Sequence, residues 1–258
     1  MSFDADLNAC AALVERGDPL RFRAVMAAPV AARRVLFSLY AFNVEVARAP
    51  WVTQEPMIAE MRLQWWRDVC EEIAKGGPVR RHEVATPLAQ TITADDAHLL
   101  DELVAARRWD IYKDPFEDAA HFADYLNKTS GHLTWVAARS LGAADETVVR
   151  DAAFAAGVAT WLRAIPELEA KGRIPLLDGT ADGVKTLAAD AFARLQKARK
   201  SRASVSRAAR AALLHIGQAE STLRAAMADP SRVADGRLPD VTAQDQLRLA
   251  FRSLTGRW

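Results

Sequence analysis

The stretch Leu39 to Glu72, LYAFNVEVARAPWVTQEPMIAEMRLQWWRDVCEE, decides the fold. In the helix that runs into it, Val35, Leu36, Leu39, Phe42, Val46 and Ala49 recur along one face of a 3.6-residue period, the pattern of an amphipathic helix. Asn43 stands beside that stripe, either at a helix edge touching solvent or in a cavity lined by polar groups. Glu45 faces another way and reads as solvated. Glu55-Pro56 opens the next helix, because a proline in a first turn lacks only an N–H that has no partner there. That helix carries a dense block, Arg62, Leu63, Gln64, Trp65, Trp66 and Arg67. Adjacent tryptophans project about 100° apart, so one packs in the core while the other forms a wall or an interface. Asp68, Glu71 and Glu72 set carboxylates at i, i+3 and i+4, a spacing that can hold Mg²⁺ and that also serves as plain solvated charge.

Outward from this stretch, alanine, leucine and arginine dominate, Val/Ile/Thr alternation is scarce, and proline and glycine fall at intervals that punctuate helices. The chain is all-α. The pattern predicts helices near 4–15, 20–28, 30–49, 56–75, 83–93, 95–110, 118–141, 145–163, 184–228 with one break, and 241–254. The segment Ala164 to Gly183, AIPELEAKGRIPLLDGTADG, reads as the one long irregular stretch, and such loops often carry function. Half of the 258 residues are hydrophobic, enough for one substantial core, so the expected organisation is a single domain over 1–258. A net charge of +1 argues against nucleic-acid binding, which calls for a strong basic excess. Two cysteines, Cys10 and Cys70, suit neither a disulfide framework nor a four-ligand zinc site and read as thiols of a reducing compartment. The N-terminal segment bears acids where a secretory leader bears bases, and no apolar run reaches the roughly 18 residues of a spanning helix. A soluble protein of the cytoplasm or an equivalent matrix, at most peripheral to a membrane, is the expectation.

Five segments taken in order carry a further signal: RFRAVMAAPVAARRVLFSLYAFN, RLQWWRD, DYLNKTSGHL, GVATWLRA with KGRIPLL, and the terminal QLRLAFRSLTGRW. Together they resemble the squalene/phytoene synthase family over nearly the whole chain. The resemblance implies an isoprenoid-synthase (class I terpenoid synthase) helical bundle around a central cavity. Family members join two prenyl diphosphates head to head, and two aspartate-rich motifs on facing helices hold the Mg²⁺ that neutralises the departing pyrophosphate. Here the first motif's positions hold Ala47, Arg48 and Trp51, none of which binds Mg²⁺. The second reads Ala164, Ile165, Pro166, Glu167, Leu168, Glu169, and its proline is expected to end the helix that would aim the two glutamates. These departures resemble the branch that includes a mitochondrial factor for assembling respiratory complex I. That branch implies a non-catalytic binding or assembly protein, with a respiratory-complex subunit or an isoprenoid or lipid ligand as partner and no cofactor. The alternative is an active head-to-head prenyl transferase on farnesyl or geranylgeranyl diphosphate, with Mg²⁺ on the substitute ligands Glu45, Glu60, Glu167 and Glu169. A lipid carrier is a third reading.

Tyr125, Ser130, Gly131 and His132 match the family's Tyr...Thr/Ser-x-Gly segment, where small residues let helices approach closely. Arg163 and Arg173 flank the second motif, and arginine suits phosphate because its planar fork donates two parallel hydrogen bonds. With Arg48 in place of an acid, the cavity mouth changes from metal-binding to anion-binding, and Asn43, Arg62 and Tyr125 complete the candidate set. Surface arginines are the plain alternative. Asp114, Glu117, Asp118, His121 and Asp124 have metal-like spacing, but acids at a helix start are also favoured by the macrodipole. The acid-free run Lys197, Arg199, Lys200, Arg202, Arg207 and Arg210 suits a solvated helix face, an acidic partner or anionic lipid.

Overall fold

The computed structural model describes residues 5–258, and among them there is no strand, only helices. The first three are α1 (Ala5–Gly17), α2 (Pro19–Ala27) and α3 (Val30–Arg48). Asp18 caps α2 by accepting from the Arg21 backbone N–H at 3.0 Å, with Pro19 in the first turn as the sequence indicates. The expected α3 was amphipathic; instead every residue from Leu36 to Val44 is buried, so α3 is the central helix of the molecule. Small side chains make this possible. Ala41 admits neighbours closely, and Ser38 returns its hydroxyl to the Arg34 carbonyl at 2.8 Å, which removes the cost of burying it.

After a 3₁₀ turn at Ala49–Trp51 come α4 (Pro56–Ala74), α5 (Ala85–Ala89) and α6 (Ala94–Ala106), the last opened by a capping box of Thr93 and Asp96. Of the paired tryptophans, Trp66 is buried and Trp65 is half-buried, its ring edge-on to Trp66 at 4.7 Å with Arg80 over its face at 5.3 Å. Asp68, Glu71 and Glu72 are engaged by Arg80 and Lys75, which leaves them as surface charge.

Two expected helices are reshaped. The one near 95–110 ends at Ala106 and tightens into a 3₁₀ turn, Arg107–Asp110. The one near 118–141 is α7 (Ala119–Leu126), a π turn at Asn127–Gly131, and α8 (His132–Leu141). Side chains explain the π turn: Thr129 donates to the Tyr125 carbonyl at 2.7 Å, and Ser130 donates across to the Ala153 carbonyl at 2.8 Å. Next, α9 (Glu146–Ala170) passes straight through Pro166, contrary to the expected stop, because Ile165 and Leu168 on either side of it are buried in the core. The irregular stretch therefore covers only 171–180. The predicted 184–228 helix breaks after Lys200 into α10 (Ala181–Lys200), a 3₁₀ segment at Ala209–Gln218, and α11 (Ala219–Ala228). The chain closes with α12 (Ser231–Ala234) and α13 (Ala243–Thr255).

Helix α9 packs on α10, α10 on α11, and α4 on α6, while α1, α2, α5 and α8 surround α3. The buried side chains form one contiguous core from Leu7 to Trp258.

Candidate functional site

A cavity of about 630 Å³ opens between α1, α3, α7 and α9. Leu13, Val44, Leu126, Leu133 and Leu168 give it an apolar wall, and Gly157 keeps α9 close to the π turn, where an added Cβ would meet Ser130 Cβ at 3.1 Å. Five cations face it, Arg16, Arg21, Arg48, Arg107 and Lys171, against three acids, Asp18, Asp110 and Glu167.

The floor is a hydrogen-bonded triad in which Tyr125 and Asp110 are buried and Arg107 is half-buried. The Tyr125 hydroxyl donates to Asp110 at 2.9 Å and accepts from Arg107 Nη1 at 2.8 Å, while Arg107 also donates to Asp110 at 3.1 Å. Burial pushes the Tyr125 phenol far above its ordinary value, with the Asp110 carboxylate adding to the shift against Arg107, so the phenol stays a proton donor. On one side, Asp18 accepts from Arg21 Nη1 at 2.5 Å. Burial works to raise the Asp18 pKa, but the Arg21 charge and hydrogen bonds win and hold the carboxyl below its usual range.

The mouth is where the ends of α3 and α9 meet. Ala47, Arg48 and Trp51 line it from the α3 side, Ala164, Glu167 and Lys171 from the α9 side. The Lys171 ammonium lies 4.3 Å from the Trp51 ring centroid and 2.6 Å from Glu167 Oε1, so one cation ties the two sides together. Arg48 pairs with Glu45 at 3.2 Å.

The sequence candidates divide. Asn43, Arg48 and Tyr125 line the cavity. Asn43 is only 8% exposed. Arg173, 6% exposed, lies just behind the lining, donating to the Trp109 carbonyl at 3.0 Å with its guanidinium 5.6 Å from the Trp51 ring. Its burial lowers its pKa, against the pull of Asp110. Arg163 does not join Arg48 and Arg173: it turns to α11, donating to Thr222 Oγ1 at 2.9 Å and to the Pro239 carbonyl, because its place on α9 faces the helix packed there. Arg62 sits on the exposed face of α4, away from the cavity.

The substitute metal ligands also fail to converge. Glu60 is held by Arg108 at 2.8 Å outside the cavity, Glu45 by Arg48, Glu167 by Lys171, and Glu169 is exposed at the end of α9. Within 114–124, Asp118 caps α7 through the His121 N–H and Asp124 pairs with Lys128 at 2.7 Å. His132 lies outside the cavity lining: it joins Glu102 at 2.9 Å and accepts from Arg150 at 3.2 Å. Arg16, Asp18, Arg21, Arg107, Asp110 and Lys171 escaped the sequence reading. Arg21 and Lys171 stand in segments that resemble the family, and Asp18 with Arg21 and Arg107 with Asp110 have a three-residue spacing, but neither sign singles them out.

The squalene/phytoene synthase family model matches residues 14–176, which take in the whole floor and both sides of the mouth. The chain belongs to the squalene/phytoene synthase family. It is similar to a Drosophila melanogaster complex I assembly factor 6 homolog, 31% identical over 170 residues, which are 61% of this chain and 50% of that protein. It is also similar to the human complex I assembly factor 6, 26% identical over 162 residues covering 61% of this chain and 48% of that one. The Bos taurus factor is 25% identical over 246 residues, 93% of this chain and 72% of that one. In the fly and human comparisons the chain spans about half the length of its relative. Among solved structures, a dehydrosqualene synthase superposes with a TM-score of 0.75 at 14% identity, covering 97% of this chain and 95% of that one. A squalene synthase from Alicyclobacillus acidocaldarius gives 0.71 at 18%, covering 91% and 95%. These likenesses establish the isoprenoid-synthase fold.

The Mg²⁺ that the family fold implies does not suit the residues present. Hard cations need several oxygens converging on one point. Among the described residues no group of three acid, histidine or cysteine side chains is placed to hold a metal, and each acid lining the cavity is already bonded to an arginine or lysine.

Proposed function

We propose that this chain is a non-catalytic respiratory-complex assembly protein that keeps the family cavity as a metal-free binding site for an isoprenoid or lipid with an anionic head. One observation carries the reading: where the family's metal arms would face each other, Lys171 bridges Trp51 and Glu167, with Arg48 beside it. Charge that Mg²⁺ would bring is supplied by side chains, and the apolar wall beyond suits a hydrocarbon tail. Its relatives named complex I assembly factor 6 support the assembly role. The binding partner is then a respiratory-complex subunit. We place the protein in the cytoplasm, at the inner membrane; Cys10 and Cys70 are buried thiols, in keeping with a reducing compartment.

The test has two parts. Farnesyl diphosphate with Mg²⁺ is expected to release no pyrophosphate, and turnover of order 1 s⁻¹ or faster would establish the prenyl transferase instead. In EDTA, farnesyl diphosphate or an anionic phospholipid is expected to quench tryptophan fluorescence through Trp51, and R48E/K171E to abolish the change. If neither compound binds without metal, the cavity reading is wrong.

A further inference from the structure

Helix α13 turns three of its four large apolar side chains to solvent. Leu247, Phe251 and Leu254 are 73%, 56% and 76% exposed, and no residue of the helix is buried. Their spacing, i, i+4 and i+7, puts them on one stripe, with Ala243 and Ala250 filling it out. The helix is not loose. Thr242 and Asp245 form a capping box at its start, Ser253 donates to the Ala27 carbonyl, and the inner side, Leu249, packs on the core. The stripe is thus presented outward by a docked helix. Met26 and Val30, also exposed, lie in sequence on either side of Ala27 and widen the apolar surface near the last turns of α13.

Around the C-terminal end of this stripe the fold gathers three arginines of the basic run, while Lys197 turns away to Asp151. Arg207 donates to the Leu254 carbonyl at 3.2 Å, Arg210 to the Gly256 carbonyl at 3.3 Å, and Arg199 to the Trp258 carbonyl at 3.1 Å. Exposed Lys200, Arg202 and Arg257 stand in the same stretches of chain. Nearby acids are occupied: Glu220 is held by Arg199 and Arg224, and Asp245 by its capping bonds and Arg248.

We propose that the outer face of α13, with the 200–210 segment and Arg257, docks on the surface of an anionic lipid bilayer, Leu247, Phe251 and Leu254 entering the headgroup boundary. Charge decides the occupant. An apolar stripe flanked by cations fits a negatively charged interface, whereas a second copy of the same face would bring like charges together. The surface is separate from the cavity and independent of what the cavity holds. No helix among the described residues is long and apolar enough to cross a membrane, so the contact is one of lying on the surface.

The experiment is co-sedimentation of the full chain with phosphatidylcholine vesicles, with and without about one-third phosphatidylglycerol, at low and high salt, beside a sedimentation-velocity run without lipid. Binding is expected to need the anionic lipid and to weaken with salt. L247Q/F251Q/L254Q, at exposed positions that leave the fold and its circular dichroism intact, is expected to lower vesicle affinity at least about tenfold. K200Q, R202Q and R257Q, which remove no observed hydrogen bond, are expected to lower it by about fivefold each. Equal affinity for neutral vesicles overturns the proposal, as does absence of vesicle binding. So does a dimer that the triple glutamine variant dissociates, since the stripe would then be covered by a second copy.

Discussion

The floor and the mouth of the cavity are built from the same parts, arginine or lysine beside a carboxylate, under opposite conditions. At the floor, Arg107, Asp110 and Tyr125 bond to one another, and the Asp110 side chain is 3% exposed. At the mouth, Arg48 is half exposed and Glu167 more so, each with one partner within four residues. A buried charge is stable only while its partner stays, whereas an exposed one falls back on solvent. The floor is therefore structure, fixed by the cost of any change, and the mouth is where sequence can drift and function can be rewritten. The lost metal motifs lie at the mouth.

That contrast can be broken by experiment. Arg107→Leu leaves the buried Asp110 without its cation, with only the Tyr125 hydroxyl bonded to it, and is expected to destabilise by about 3–5 kcal/mol in urea unfolding; a loss below about 1 kcal/mol would show that solvent takes the place of the cation. Tyr125→Phe leaves Arg107 on Asp110 and is expected to cost about 1–2 kcal/mol, so that a cost equal to that of Arg107→Leu would mean the phenol, not the arginine, neutralises the acid. pH probes the wall behind the floor. Burial, aided by Arg150 and opposed by Glu102, holds the His132 pKa below its ordinary value. The unfolded chain then binds the proton more tightly, and stability falls as pH drops below about 6.5. The urea midpoint at pH 5 is expected below that at pH 8, with the difference reduced in His132→Gln; an unchanged difference removes His132 from the account. The smallest effect belongs to the mouth: Arg48→Ala should change stability by under about 1 kcal/mol, and a larger loss would make Arg48 part of the frame.

Helices were readable because apolar spacing and a proline in a first turn act locally: Pro56 opens α4 where the sequence places it. Tertiary contacts decided the rest. The burial of α3 on every side and the passage of α9 through Pro166 depend on neighbours that no local window contains. The site followed the same division. Asn43, Arg48 and Tyr125 were accessible through the sequence, and all three line the cavity. Asp18 with Arg21 and Arg107 with Asp110 have the spacing of ordinary surface pairs, and only the packing of α1, α7 and α9 around one space tells them apart. Arg163 failed for the converse reason. It belongs to the right helix and faces the wrong neighbour.

Pro166 sets one further property of α9. It has no N–H to give to the Leu162 carbonyl, so the ladder of the helix is missing a rung between the long stem and the turn that carries Glu167 and Lys171. Mechanically the helix is a rigid beam ending in a short, softer arm, and that arm holds the mouth's bridging cation. Backbone amides from Glu167 to Lys171 should exchange hydrogen with solvent sooner than those of the stem, and a ligand clasped by Lys171 would slow them.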